Sequence, residues 1–168
     1  MNIELKILNK RFYSEESNGM LLNPLPYYAT DGSAGVDLYC TEDVTVYPGE
    51  TVAIYTGLAV HIECAKSLCD YMGMIVPRSG LGTRGLVLAN TIGIIDQDYQ
   101  GEITVQAMNR LKDNRSCENK RGNIIQLKAG ERIAQLIFVP IVRPSFVVVD
   151  EFTHNTDRGC DGFGSTGK

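Results

Sequence analysis

Short apolar runs that alternate with polar residues, each soon broken by Gly, Asn, Asp or Pro, recur along nearly all of this 168-residue chain. Ile3, Leu5 and Ile7 alternate with Glu4 and Lys6, the pattern of a half-buried strand. VTVYPGETVAIYTGLAV (Val44 to Val60) reads as two strands about a Pro48-Gly49 turn. MGMIVP, LVLA, EITVQAM, NIIQL, RIAQLIFVPIV and SFVVVD add further β-rich runs. Many short strands and few long helical periods predict an all-β fold, an antiparallel barrel or sandwich such as a jelly roll. CAKSLCDYM reads as either about two helical turns or a loop. The polar segment RLKDNRSCENKRGN (Arg110 to Asn123) is expected to be a long solvated hairpin loop between two strands.

Size and charge narrow the function classes. A chain of 18.5 kDa with 43% hydrophobic residues is one domain with room for a proper core. A formal net charge of −4 argues against stable binding to a nucleic-acid backbone, which usually needs a basic face. An anionic ligand must then be held by a local cluster of Arg, backbone N–H groups and a metal. The N-terminal residues lack a signal-peptide core, and no apolar run approaches the ~20 residues of a membrane span. The five cysteines (Cys40, Cys64, Cys69, Cys117, Cys160) include no C-x-x-C, and there are two histidines. Free thiols in a reducing cytoplasm are expected rather than a zinc site.

Five segments carry more Gly, Asp, Arg and Ser than strands require. SAGVDLYC puts Asp37 at a strand start, as a turn cap or as a functional carboxylate. PRSGLGTRG offers Arg78, Ser79 and the Gly80 N–H in succession, a fork, a hydroxyl and a backbone donor suited to phosphate. NTIGIIDQDYQGEI holds Asp96 and Asp98 on what reads as an extended segment, hence on one face. They read as a metal pair, as a general base with a structural partner, or as a solvated turn. GERIAQLIFVPI contains Arg132, able to pair with a buried carboxylate, and Gln135, which needs a partner if it faces inward. RGCDGFGSTGK combines Arg158, Phe163, Ser165 and Thr166 with four glycines, a composition expected to be disordered when unliganded. Gly162, then four residues, then Gly167-Lys168 also match most of a Walker A loop. No Ser/Thr and helix follow, so it is not read as one.

In order and approximate spacing, AGVDLYC, PRSGLG, GIIDQDYQGEI, GERIAQLIFVPI and RGCDGFGSTG resemble the five motifs of the trimeric dUTP diphosphatases (dUTPases). LPYYATDGSAGVDL and VYPGETVAIYTGLAV resemble that family's connecting segments, so the likeness spans nearly the whole chain. The resemblance implies a jelly-roll-like β-barrel over residues 1–155 and a flexible C-terminal lid over residues 156–168. It implies a homotrimer with active sites shared between subunits. The implied activity is hydrolysis of dUTP to dUMP and pyrophosphate with Mg²⁺ carried by the phosphates. That reaction keeps uracil out of DNA and supplies dUMP for thymidylate synthesis.

Carried over by position, Asp96 resembles the base that activates water against the α-phosphorus, and Tyr99 the aromatic beneath the sugar. Asn90, Gly93 and the hairpin backbone between Asn90 and Tyr99 match the uracil pocket. Arg78, Ser79 and Gly80 match phosphate contacts. Gln135 and Asp37 match positions that hold water near phosphates and metal, with Arg132 paired to Asp37 in a supporting role. Phe163 is expected to stack on uracil. Arg158, Gly164, Ser165 and Thr166 are expected to close over the phosphates. The dCTP deaminases are similar in order, but their catalytic Glu position holds Gln106 here, which cannot shuttle a proton. The 110–123 loop is longer than the family's usual connection, and a protein partner there is the further expectation. The 63–72 segment is also longer than the family's usual turn, for no reason legible in the sequence. No role is assigned to Arg84.

Overall fold

The alternating runs form strands in the computed structural model, which describes residues 2–14, 23–63, 69–114 and 123–162. In chain order these are β1 (Asn2–Ile7), β2 (Val36–Tyr39), β3 (Val44–Val46), β4 (Thr51–Tyr55), β5 (Leu58–Glu63) and β6 (Asp70–Pro77). A short helix α1 (Ser79–Arg84) follows, then β7 (Leu86–Leu88), β8 (Gly93–Ile95), β9 (Thr104–Asn109), β10 (Ile125–Leu127) and β11 (Arg132–Ile141). All pairings are antiparallel, in sheets ordered β2-β11-β6-β8, β4-β9-β7, β1-β5 and β10-β3. The fold is all-β and jelly-roll-like.

One apolar cluster unites these sheets. Within it Leu38, Val46, Ile54, Ile103, Val105 and Leu127 are essentially inaccessible to solvent, and Phe12, Tyr13, Tyr39 and Leu58 form a second, smaller cluster. Burial of each such side chain contributes about 1.5–3 kcal/mol relative to leaving it exposed. Strand β9 shows how alternation sorts the faces: Val105, Ala107 and Asn109 point inward, and Gln106 is exposed.

The Val44 to Val60 stretch is three strands rather than the expected two. Its Pro48-Gly49 turn is present, with Gly49 at φ 78° and the Glu50 N–H donating to the Tyr47 carbonyl at 2.9 Å. That is the type II geometry that Pro-Gly favours. A second turn at Gly57 (φ 70°) separates β4 from β5. The strands flanking Pro48-Gly49 do not pair with each other, because β3 joins β10 and β4 joins β9. The 110–123 segment is likewise no hairpin: β9 lies between β4 and β7, and β10 pairs with β3, so the segment crosses between sheets. Its residues 115–122 lie outside the described residues. In CAKSLCDYM the helical reading fails where it can be checked, since Asp70, Tyr71 and Met72 begin β6.

The crossover is pinned by a buried side chain that alternation alone would class as a misfit. Asn109 is wholly buried, and its Nδ2 donates to the carbonyls of Val46 (3.0 Å) and Asn123 (2.8 Å). Its Oδ1 accepts from the Leu111 N–H at 3.1 Å. Removing that amide leaves buried backbone groups unsatisfied at about 1–3 kcal/mol each. We expect Asn109→Ala to lose about 2–4 kcal/mol in urea unfolding. A loss below about 0.5 kcal/mol, the range of a neutral surface change, would mean this anchor is redundant.

SFVVVD was expected to be a strand and is not one. Phe146, Val147 and Val148 are 94, 81 and 97% exposed, and Val142 and Phe152 are 88% exposed. The residues have strand propensity, but the described barrel supplies no paired neighbour for them.

Candidate active site

The segment PRSGLGTRG folds as α1 with Arg78 as its N-cap in extended conformation. Gly85 ends the helix at φ 100°, its N–H reaching back to the Leu81 and Gly82 carbonyls. A Cβ there would also come within 2.5 Å of Leu111. Glycine is required on both counts. The first N–H groups of any helix lack intrahelical partners, so the chain at Ser79 and Gly80 presents donors. A Cβ on Gly80 would meet nothing within 4 Å, so this approach is open.

Beside α1 three side chains converge. Asp37 Oδ1 lies 3.1 Å from Arg78 Nε, and its Oδ2 accepts from Arg132 Nη1 at 3.3 Å. The Asp37 side chain is 12% exposed, against 29% for Arg78 and 49% for Arg132. The Arg78 contact is an ion pair out of line for a hydrogen bond, so the buried Oδ1 accepts none.

The convergence depends on a β-bulge. In the β11–β2 pairing, Arg132 lies opposite Tyr39 but Ala134 opposite Leu38, one residue out of step. Gln135 then falls opposite Asp37. Residues three apart on a regular strand face opposite ways. The extra residue puts both Arg132 and Gln135 on the Asp37 side, as bulges near functional sites commonly re-aim side chains.

Arg78, Ser79, Gly80, Arg84, Glu131 and Arg132 line an open cleft of about 620 Å³. Arg84 Nη1 stands 3.7 Å from Glu131 Oε2, and its Nη2 donates to the Gln126 carbonyl at 3.4 Å. Three guanidiniums against the carboxylates of Asp37 and Glu131 leave the cleft positive on a chain of net charge −4. Arg84 and Glu131 were missed in the sequence because the helix that brings Arg84 round to the cleft was missed. Beside this cluster, burial first, then the Tyr27 and Asp37 charges, push the Tyr39 phenol up, while Arg132 and Arg78 pull less strongly down.

A second group lies along β8 and the turn after it. Asn90 is exposed just after β7. Thr91 has φ 67°, and the Ile92 N–H donates to the Asn90 carbonyl at 2.7 Å, closing a three-residue turn. A β-branched residue in that region is strained, as often at ligand clamps. Gly93 is buried against β6, where a Cβ would come within 3.1 Å of Ile75 Cβ.

Asp96 follows β8 and opens a turn that closes with Tyr99 N–H donating to its carbonyl at 3.2 Å. This corrects the extended reading of Asp96 and Asp98, because the chain reverses between them. Among the described residues no cluster of three or more His, Cys, Asp or Glu side chains is arranged for an ion. The Tyr99 hydroxyl donates to the Glu102 carbonyl at 3.0 Å. Its ring covers Gly101, where a Cβ would meet the phenol oxygen at 2.5 Å.

The two groups are set apart along β6. Asp96 follows Ile95, which is opposite Gly73, whereas Arg78 follows Pro77 at the far end of that strand. The intervening residues span about 15–20 Å of extended chain. Arg158 is elsewhere again, its Nε donating to the Asp161 carbonyl at 3.1 Å. Phe163, Gly164, Ser165 and Thr166 lie outside the described residues. No helix among the described residues is long and apolar enough to cross a membrane.

Residues 23–167 match the family model for dUTPase. The deoxyuridine 5'-triphosphate nucleotidohydrolase of Hahella chejuensis is 45% identical over 166 residues, covering 97% of this chain and 95% of the relative. That of Aeromonas hydrophila is 46% identical over 169 residues, covering 99% and 97%. Among solved structures, the Staphylococcus bacteriophage 80alpha dUTPase with dUpNHpp is 29% identical at a TM-score of 0.78, with 99% of each chain covered. These matches span the barrel and every segment that carries the candidate site. The chain belongs to the dUTPase family.

Proposed function

We propose that this protein hydrolyses dUTP to dUMP and pyrophosphate, using a site assembled from more than one copy of the chain. The observation that carries the reading is the positive cleft beside α1, on an acidic chain of the dUTPase family. With Arg78 Nε turned to Asp37, its terminal nitrogens are the ones left to receive phosphate oxygens. Ser79 and the Gly80 N–H add neutral donors, and Arg132 keeps the Asp37 carboxylate in place.

In this reading Asp96 takes a proton from the attacking water as the new oxygen–phosphorus bond forms at the α-phosphate. The bond to the bridging oxygen breaks and pyrophosphate leaves. Tyr99 underlies the sugar, and Asn90, Gly93 and the strained Thr91 segment read the base. Gln135, opposite Asp37, holds water near the phosphates. The residues fit a magnesium ion carried by the substrate rather than by a protein cage, as suits an ion that keeps several waters. Asp37 Oδ1, buried without a hydrogen bond, would accept from one of those waters. When bound, the ion offsets charge developing on the polyphosphate.

Assembly as a homotrimer with shared sites is supported by the separation of Asp96 from Arg78 along β6, which one copy alone does not bridge. It is supported also by the exposed arm bearing Phe146, Val147 and Val148, since apolar runs of that kind mark contact surfaces.

A panel of dUTP, dTTP, dCTP and UTP, with pyrophosphate and ammonia both assayed, tests the reading. We expect pyrophosphate from dUTP with Mg²⁺ and strong discrimination against the other three. Equal rates on dTTP would remove the uracil-pocket assignment. Ammonia from dCTP would overturn the reading in favour of deamination, which Gln106 opposes because an amide neither gives up nor takes up a proton near neutral pH.

A further inference from the structure

A hydrogen-bonded ring joins the turn that carries Asp96 to two other parts of the chain. Arg143 Nη2 donates to Gln97 Oε1 at 2.6 Å, and Arg143 Nη1 donates to Asp70 Oδ2 at 2.5 Å. Gln97 Nε2 closes the ring on Asp70 Oδ1 at 3.4 Å. Strand register explains the meeting. Asp70 is the first residue of β6 and lies opposite Ile141, the last of β11, so Arg143 is two residues past that pair. Ile95, at the end of β8, lies opposite Gly73, three residues along β6 from Asp70. The start of β6, the Asp96–Tyr99 turn and the root of the C-terminal arm therefore converge on one guanidinium.

We propose that Arg143 and Asp70 clasp Gln97, and that Gln97 is a positioning residue for the Asp96 turn. This rests on the reading of Asp96 as the base. Gln97 is the second residue of that turn, so fixing its side chain restrains the backbone that aims Asp96. The Arg143 fork is suited to holding two acceptors on different elements at once, which an ammonium does poorly. Asp70 and Arg143 are 45% and 56% exposed, so the ring is worth little to global stability. Its consequence is local geometry, and small misplacement of a catalytic group can cost up to about 10²-fold in rate. The ring also explains a use for the end of the 63–72 segment, since Asp70 completes it.

The test uses the full chain with Gln97→Ala, Arg143→Ala, Arg143→Lys and the double alanine variant. Measured are kcat and KM for pyrophosphate release from dUTP, thermal unfolding, and amide exchange across residues 94–100. Each single alanine change should lower kcat by about tenfold and leave KM within about twofold. The double variant should be no slower than the slower single one, because both open the same ring. Exchange at the Tyr99 N–H should quicken while the unfolding midpoint stays put. Arg143→Lys should recover part of kcat through Asp70. Wild-type kcat in both alanine variants overturns the proposal, as does unchanged exchange in the turn. A parent protein that releases no pyrophosphate from dUTP overturns the functional reading instead, and amide exchange then decides the clasp alone.

Discussion

We expect Asp96→Asn to bind nucleotide as the parent does and to lose at least about 10²-fold in turnover. Positioned general-base catalysis contributes roughly 10²–10⁴ in rate, and an amide of nearly the same shape cannot take the proton. The substitution is clean because Asp96 is exposed at the end of β8, so no buried partner is orphaned. The turn it opens is closed by backbone, Tyr99 N–H to Asp96 carbonyl at 3.2 Å, which the side-chain change leaves intact. Turnover should therefore fall with no change in the unfolding midpoint. Binding of a non-hydrolysable dUTP analogue, measured by calorimetry, should stay within a few-fold of the parent. Near-normal turnover would place the base on another residue, and Asp98, on the same turn, would be the next to change.

Local chemistry made much of this legible before any coordinates. Period-two alternation marks β9, whose Val105, Ala107 and Asn109 form its buried face, and more weakly β1, where Ile3 and Ile7 are half-buried and Leu5 is exposed. Pro48-Gly49 predicts its turn because Pro and Gly each supply a dihedral that the turn demands. What could not be read is non-local. No residue pattern announces the bulge at Ile133, which depends on how β2 lies beside β11, yet it decides that Arg132 and Gln135 share the Asp37 side.

The 110–123 crossover was mistaken for a hairpin for the same reason: partner choice between sheets leaves no trace in a single strand's pattern. Asn109 reads as a loop residue and is a buried anchor, since its partners at Val46 and Asn123 are distant in sequence. The arm carrying Phe146 was mistaken for a barrel strand because propensity reports fitness for pairing and says nothing of whose strand it will pair with. Helix α1 was missed although Gly85 and Arg84 are recognisable end signals, because a six-residue helix shows too little periodicity.

Truncation after Asp157 should cut turnover by at least about 10²-fold and leave a folded assembly. The expectation joins composition to the described geometry. Residues 142–162 form no strand with the barrel, and residues 156–162 are exposed, with Arg158 Nε donating locally to the Asp161 carbonyl. The described part of the tail, residues 158–162, thus makes no core contact, and the Asp70–Gln97–Arg143 ring, which lies before the cut, is kept. The proposed site, however, loses Arg158, Phe163, Gly164, Ser165 and Thr166. Those are the groups assigned to stack on uracil and to close donors over the phosphates. Loss of even one well-placed donor to a developing oxyanion costs roughly 10²–10³ in rate, and closure also excludes water. A glycine-rich segment pays its ordering entropy when it closes, so binding of dUTP should weaken far less than turnover falls. Steady-state pyrophosphate release, with sedimentation and thermal unfolding of the same sample, separates these effects. Full activity in the truncated chain would show that the barrel alone completes the site.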